Sequence, residues 1–117
     1  MERGEIYRST APDDDPRRMR IYVVVSRPEF LLSRYTTAIC VPVYSTIAGL
    51  DTEVVFDERN GLKFPSAARC DEITSVRRDR LTQFLGRATS EQLLQLARAV
   101  AAACWIFPED LGPGALR

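Results

Sequence analysis

The first three-quarters of the chain alternates short apolar stretches with turn residues, a pattern typical of a β-rich domain. Apolar and polar residues alternate along residues 4–8 and again along 52–57, as expected for strands with one buried face. Residues 19–26 and 36–43 are apolar and β-branched on both faces, so they are predicted to be central strands. Pro42, near the end of the second of these, indicates an edge or a bulge.

Turn signals separate these strands. Residues 9–18 contain two prolines and three successive aspartates, so they are predicted to form a loop. Residues 58–61 form a turn, and residues 66–76 are predicted to be the next strand. Residues 77–85 are predicted to hold a short helix or turn, followed by a brief strand over 85–87.

The apolar period changes from two to helical spacing in the last third of the chain. Thr89 and Gln92 have the spacing of a capping box, which predicts a helix that begins after Thr89 and continues to Cys104. The tail, residues 106–117, is predicted to be frayed. Several strands followed by one helix predict a single α+β domain over residues 1–117, a small barrel with a helix on one face.

Length and hydropathy place the domain among globular proteins. A chain of 117 residues can bury one real core. The longest apolar runs are only a few residues, far too short to cross a bilayer, and the charged N-terminus is followed by no apolar segment of the kind that a secretory signal needs. We therefore expect a cytoplasmic protein with no membrane partner.

The cationic residues are almost all arginines. Lys63 is the only lysine among 16 cationic residues. A guanidinium keeps its charge and presents a planar fork of donors that matches phosphate oxygens. The 16 acidic residues balance this charge, which argues against indiscriminate polyanion binding. Any contact with nucleic acid is therefore expected to be local.

The absence of histidine narrows the chemistry. It removes the usual general acid or base, every Ser-His or Cys-His nucleophile pair and the two-histidine metal sites. Cys40, Cys70 and Cys104 are widely spaced, so they are predicted to be buried small hydrophobes rather than disulfides or zinc ligands. No metal or cofactor is expected.

A series of short motifs follows the chain from residue 3 to residue 104. They are Arg3-Gly4-Glu5-Ile6-Tyr7, Arg20 before the strand at 21–26, Val41-Pro42-Val43-Tyr44-Ser45, Gly61-Leu62-Lys63 with residues 66–73, and Asp79-Arg80-Leu81 with residues 85–89. In this order and spacing they resemble the MazF/PemK family of toxin–antitoxin ribonucleases. The resemblance implies an SH3-like antiparallel β-barrel with a C-terminal helix, of the CcdB/PemK-like type. It also implies a homodimer, a cognate antitoxin, and metal-independent, sequence-selective cleavage of single-stranded RNA.

The resemblance also implies a site. The family arginine that opens the second core strand corresponds to Arg20, and the family threonine that ends the next strand is replaced by Tyr44, which is followed by Ser45. We therefore take Arg20, Ser45 and Tyr44 as catalytic candidates. Thr46 is a candidate RNA contact beside them. Whether a tyrosine in place of the threonine leaves cleavage intact is open.

RNA supplies its own nucleophile, the 2′-hydroxyl, so positioning and charge stabilisation can provide most of the catalysis. Arg20 is expected to stabilise the phosphorane and is a candidate proton donor to the leaving oxygen, because a guanidinium is a poor proton acceptor. The base is either a carboxylate or water. Asp13, Asp14 and Asp15 in the first loop fit a solvated turn better than a base. Arg17 and Arg18 are candidate contacts to flanking phosphates.

Other interpretations fit the same residues. Arg20 can instead pair with a carboxylate at a strand end, and Ser45 can be an ordinary strand-to-turn serine. Tyr7 and Tyr22 fit core or dimer packing better than base stacking. Two further function classes stay open: a gyrase-poisoning toxin of the CcdB type, and a non-catalytic module that binds RNA or antitoxin.

Overall fold

The computed structural model describes residues 1–10 and 20–111 of the chain. Its strands are β1 (Glu5–Ser9), β2 (Ile21–Val24), β3 (Thr37–Tyr44), β4 (Glu53–Phe56), β5 (Ser66–Arg69), β6 (Thr74–Arg77) and β7 (Leu81–Arg87). Its helices are α1 (Pro28–Leu32) and α2 (Ser90–Ala103), with short 3-10 turns at Glu58–Asn60, Cys70–Glu72, Arg78–Arg80 and Pro108–Leu111.

The strands form one antiparallel sheet in the order β4-β5-β3-β2-β1-β7, and β6 pairs with β3 beside this path. The predicted fold class is confirmed: an α+β domain with a barrel-like antiparallel sheet and a C-terminal helix. The barrel is not closed, because no pairing joins β4 to β7 within the described residues. No helix in this part of the chain is long and apolar enough to cross a membrane.

β3 is the branch point of the sheet. Its first half pairs with β6 and its end pairs with β5, while β2 lies along its other edge. The single strand predicted over residues 66–76 is therefore wrong, because the turn Cys70–Glu72 divides it into β5 and β6. Pro42 lies opposite this turn, where neither β5 nor β6 pairs with β3. It marks an irregularity in a central strand, not a sheet edge.

Two further elements differ from the sequence-based expectation. The helix or turn expected over 77–85 is only the turn Arg78–Arg80, and β7 already begins at Leu81, which is buried and pairs with Ser9 of β1. Helix α1 was not predicted, because five residues are too few to display a helical period. It begins with Pro28 in the first turn and buries Leu31.

The core lies between the sheet and α2. Its buried side chains come from most strands and from the helix: Ile6, Val23, Val41, Val43, Val54, Phe56, Leu96 and Ala99. A second cluster lies on the other, outer face of the sheet under α1, around Val24, Leu31 and Cys40. The inner face of β2 and β3 is therefore covered by the core that α2 completes, and part of their outer face stays accessible.

The three cysteines have different environments. Cys40 and Cys70 are buried as predicted, and burial raises the pKa of the Cys40 thiol to about 12 and that of Cys70 to about 11. Both are therefore protonated and unreactive at neutral pH. The prediction of burial was wrong for Cys104, which is exposed because it caps the C-terminus of α2 as the chain leaves the core.

The N-terminus of α2 has the predicted capping box. The Thr89 hydroxyl accepts from the Gln92 N–H at 3.1 Å, and the Gln92 side-chain oxygen accepts from the Thr89 N–H at 2.9 Å. Gln92 is also buried against Asn60, and the two amides exchange hydrogen bonds of 2.7 and 3.1 Å. The Gln92 amide nitrogen also donates to the Val55 carbonyl. One glutamine thus starts the helix and attaches it to the sheet.

Replacing Gln92 by alanine is expected to lower the free energy of unfolding by about 3 kcal/mol, because it removes these bonds and leaves the buried Asn60 amide with fewer partners. Gln95, exposed on the same helix, is the matched control. Gln95→Ala is expected to change stability by less than about 0.5 kcal/mol. Urea unfolding followed by circular dichroism measures both. Equal losses in the two variants would contradict this role of Gln92.

Candidate active site

The register of β2 against β3 brings Arg20 and Tyr44 together. Ile21 pairs with Val43, so one step further along the two strands Arg20 comes to lie opposite Tyr44 on the outer face. The Arg20 guanidinium carbon is 5.1 Å from the centroid of the Tyr44 ring, a cation–π contact. The Arg20 backbone is fixed by Ser9 at the end of β1, whose N–H donates to the Arg20 carbonyl at 2.8 Å.

The Arg20 side chain is exposed. Among the described residues, arginine–carboxylate pairs form at Arg27, Arg59, Arg69, Arg77 and Arg87, and none involves Arg20. The alternative in which Arg20 is neutralised at a strand end is therefore not observed in this part of the chain. A guanidinium so placed can present its donors to an anion from solution.

Tyr44 connects Arg20 to a second charged group. Its hydroxyl donates to the Glu72 carboxylate at 2.8 Å. Arg69, at the end of β5, bridges to Glu72 at 3.2 Å and to Asp71 at 2.9 Å, and its guanidinium carbon lies 5.9 Å from the Tyr44 ring. The outer face therefore carries a linked group, defined here as the Arg20 cluster: Arg20, Tyr44, Arg69 and Glu72.

The environment of Tyr44 keeps its phenol protonated. Burial raises the pKa of Tyr44, the hydrogen bond to Glu72 raises it further, and the charges of Arg20 and Arg69 partly offset this. At neutral pH the Tyr44 hydroxyl is therefore a neutral hydrogen-bond donor held towards a carboxylate. It is not a phenolate.

Ser45 lies on the other face of the sheet. It lines a cavity of about 220 Å³ together with Ile21 and Val43, with Arg8 and Lys63 also in its wall. The pleat accounts for this, since successive residues of a strand point to opposite faces. The structure thus brings two of the catalytic candidates together and separates Ser45 from them.

The other candidates are not part of the Arg20 cluster. Thr46 is exposed, and within the described residues it forms no side-chain hydrogen bond with Arg20 or Tyr44. Arg17 and Arg18 lie outside the described residues, as do Asp13, Asp14 and Asp15.

Sequence reasoning did not identify Arg69 and Glu72 as site residues. A signal was present, because Arg69, Asp71 and Glu72 interrupt with charge a segment that was expected to be a strand. The segment instead turns at Cys70–Glu72 and directs Glu72 towards the end of β3.

Aromatic side chains extend across the outer face next to the Arg20 cluster. Tyr7 pairs with Tyr22 on one side and with Phe84 on the other, so the three side chains form a row across neighbouring strands. Tyr7 and Phe84 make an edge-to-face contact with ring centroids 5.7 Å apart. Tyr7 and Tyr22 also pack against the second core cluster, in agreement with the packing role predicted for them, while Phe84 is half exposed.

The cluster offers cations, a hydrogen-bond donor and a carboxylate within one small area. These groups can bind an anion, stabilise additional negative charge and accept a proton. Within residues 1–10 and 20–111, no three His, Cys, Asp or Glu side chains are placed to hold a metal ion.

Comparison with known proteins gives matches over most of the chain. The family model for the PemK-like, MazF-like toxin of type II toxin–antitoxin systems matches residues 2–104. The chain is 32% identical over 84 residues to Endoribonuclease MazF3 of Mycobacterium tuberculosis, an alignment that covers 67% of this chain and 82% of that protein.

Solved structures agree in fold. Mycobacterium tuberculosis toxin MazF-mt6 is similar with a TM-score of 0.76 and 26% identity, covering 88% of this chain and 98% of that one. A mycobacterial endoribonuclease in complex with its cognate antitoxin has a TM-score of 0.76 at 20% identity, covering 92% and 97% of the two chains. A chain of a MazE-MazF crystal structure from Deinococcus radiodurans has a TM-score of 0.72 at 18% identity, covering 92% of this chain and 97% of that one.

Proposed function

This chain belongs to the PemK-like, MazF-like family of type II toxins, and we propose that it is an endoribonuclease toxin that cleaves single-stranded RNA at selected sequences. The family match over residues 2–104 and the similarity to Endoribonuclease MazF3 support this proposal. Its sequence selectivity and its independence of metal ions are expectations from the family resemblance.

The observation that carries the proposal is the position of Arg20. It is fixed at the start of β2, it is exposed, and it lies over Tyr44 without a carboxylate partner among the described residues. An arginine held in this way needs little rearrangement to bind a phosphate. Donors that are already in place are the condition for electrostatic catalysis.

The proposed reaction is a transesterification within the RNA. The ribose 2′-oxygen attacks the adjacent phosphorus as the bond to the 5′-oxygen of the next nucleotide breaks. One proton leaves the 2′-hydroxyl and one is delivered to the departing 5′-oxygen. The products are a 2′,3′-cyclic phosphate and a free 5′-hydroxyl. Arg20 binds two phosphate oxygens and stabilises the charge that accumulates on the phosphorane.

We further expect a homodimer that a cognate antitoxin peptide inhibits. Support for the antitoxin comes from solved structures of the same fold, which include an endoribonuclease bound to its cognate antitoxin and MazE-MazF structures. The homodimer is an expectation from the family resemblance. Acidic residues of such a peptide would meet the arginines of the outer face. Rescue of growth by co-expression of the neighbouring open reading frame tests this expectation.

The test of the proposed function is direct. The purified protein is incubated with a mixed single-stranded RNA in EDTA, and the fragment ends are mapped. We expect cuts at a recurring short sequence, with 2′,3′-cyclic phosphate and 5′-hydroxyl ends, and no cuts in fully duplex RNA of the same sequence.

Other outcomes distinguish the alternatives. Intact RNA together with trapped gyrase–DNA complexes would replace the proposal with a CcdB-type activity. RNA that is bound but uncut would indicate a non-catalytic module. Cleavage that EDTA abolishes would contradict the metal-independent mechanism.

A further inference from the structure

We propose that Glu72 receives the proton from the attacking 2′-hydroxyl and that it does so through the hydroxyl of Tyr44. This inference rests on the proposed ribonuclease function and adds to it the route of the proton. The sequence left the base open as a carboxylate or water. The structure supplies a carboxylate at the required place, on a segment that was not expected to contribute to the site.

The hydrogen bond defines the direction of transfer. The Tyr44 hydroxyl donates its proton to a Glu72 oxygen at 2.8 Å, and its remaining lone pairs are available to accept a bond from another donor. Arg20 lies over the same tyrosine ring, with its guanidinium carbon 5.1 Å from the ring centroid. The proposal therefore places the ribose next to a phosphate held by Arg20 on the Tyr44 side of the guanidinium. The 2′-hydroxyl is then the natural donor to Tyr44.

Local structure fixes Glu72 in this position. The 3-10 turn Cys70–Glu72 follows β5 directly, and the buried Cys70 anchors it. The Arg69 guanidinium spans the turn, with one nitrogen on Asp71 and another on Glu72. This leaves the other oxygen of Glu72 directed at Tyr44.

The charges around the pair favour a relay over a free tyrosinate. Tyr44 is faced by Arg20, which directly precedes β2, by Arg69 from β5 and by Glu72 from the turn. Asp71 lies beside Glu72 on the Arg69 guanidinium. Burial and Glu72 together raise the pKa of Tyr44, so the phenol does not give up its proton by itself at neutral pH. It can pass a proton on only while it receives another.

The protons of the attack balance within this relay, and the proton that the departing 5′-oxygen takes up comes from Arg20, which regains one from water. As the 2′-oxygen forms its bond to phosphorus, its proton moves to the Tyr44 oxygen, and the phenolic proton moves to Glu72. The neutral phenol is restored and Glu72 becomes a carboxylic acid. Arg69 holds Glu72 throughout, and the site is reset when Glu72 loses the proton to water.

Asp71 is a built-in control for this proposal. Asp71 and Glu72 are neighbours, both pair with Arg69, and both are exposed to a similar degree. Only Glu72 accepts a hydrogen bond from Tyr44. A general loss of charge or of the Arg69 pairing therefore affects both carboxylates, whereas loss of the proton route affects Glu72 alone.

The experiment compares Glu72→Gln, Asp71→Asn, Tyr44→Phe and the double variant Glu72→Gln/Tyr44→Phe, all in full-length protein whose fold is verified by circular dichroism and urea unfolding. Glutamine keeps the size of Glu72 and can still accept the Tyr44 hydrogen bond, so it removes the base with little change in position. We expect Glu72→Gln to lower kcat by about 100-fold or more with KM little changed, the range of general-base catalysis. Asp71→Asn is expected to stay within a few-fold of wild type.

Two further readouts separate a proton route from a structural contact. The acid limb of the wild-type pH profile of kcat/KM is expected to disappear in Glu72→Gln and to remain in Asp71→Asn. The double variant is expected to be no slower than the slower single variant, because both changes interrupt one route. An unchanged acid limb in Glu72→Gln, or additive losses in the double variant, would overturn the proposal.

The remaining outcomes are also decisive. A wild-type protein that does not cut RNA would overturn the proposed function and this inference together. A wild-type protein that cuts RNA, with Glu72→Gln equally fast, would overturn this inference alone. Faster cleavage by Tyr44→Phe would show that Tyr44 obstructs the site and would likewise overturn the inference.

Discussion

Replacement of Arg20 by alanine is expected to slow RNA cleavage by about two to three orders of magnitude, the usual effect of removing one donor that stabilises a charged transition state. The loss should appear mainly in kcat, because the negative charge on the phosphate grows as the phosphorane forms. The fold should not change, since the Arg20 side chain is exposed and its backbone bonds to Ser9 are kept. Single-turnover cleavage of a fluorescent RNA oligonucleotide measures the effect.

Arg27→Ala is the matched control for Arg20→Ala. Arg27 is also exposed and also lies over an aromatic ring, with its guanidinium carbon 5.5 Å from the centroid of Phe30. It lies next to α1, outside the Arg20 cluster, and it pairs with Glu29. We expect full activity from this variant. Arg20→Lys keeps the charge without the planar fork, so its rate should fall between those of alanine and wild type. Equal rates for Arg20→Ala and Arg27→Ala would remove Arg20 from the site.

Replacement of Gly86 by alanine is expected to destabilise the fold by about 4 kcal/mol or more, a large share of the 5–15 kcal/mol typical of a domain. A Cβ on Gly86 would lie far inside the van der Waals contact distance to the Asn60 carbonyl oxygen, a backbone atom that cannot rotate away. The same two segments meet at Gly61, where an added Cβ would clash with the Leu85 carbonyl of β7. Thermal unfolding of Gly86→Ala should show a much lower Tm.

Alanine variants of two other glycines distinguish the cost of a clash with a neighbouring atom from the cost of backbone strain at a positive φ. Gly49 has a φ of 81° and no atom near the position of a Cβ, so Gly49→Ala should cost only about 1–2 kcal/mol of backbone strain. Gly61, with a φ of 87° and the close contact, combines both costs and should be the most damaging. A Tm for Gly86→Ala as high as that of Gly49→Ala would mean that β7 and the turn Glu58–Asn60 move apart without penalty at this contact.

Local patterns predicted those parts of the fold that local interactions determine. The capping box at Thr89 depends on residues three positions apart, and it correctly located the start of α2. The division of residues 66–76 into β5 and β6 depends on β3 pairing with both, which no local pattern contains. The exposure of Cys104 likewise depends on where α2 leaves the core.

The sequence predicted part of the candidate site. The order of the motifs placed Arg20 and Tyr44 on adjacent strand ends, and the structure brings them together. Successive residues of a strand point to opposite faces, so the sequence already indicated that Ser45 and Tyr44 lie on different sides of the sheet. The two were grouped as catalytic candidates only because they are neighbours in the motif. The bond between Tyr44 and Glu72 joins residues 28 positions apart and is visible only in three dimensions.

The central claim is that the scissile phosphate binds at Arg20 on the outer face. The most direct test is a crystal structure of the protein with its RNA target carrying a single 2′-deoxy nucleotide at the cleaved position, which removes the nucleophile and traps the complex. We predict that the phosphate 3′ of that nucleotide contacts the Arg20 guanidinium and that its sugar faces the Tyr44 hydroxyl. An RNA whose scissile phosphate lies instead in the cavity beside Ser45, away from Arg20, would contradict the account.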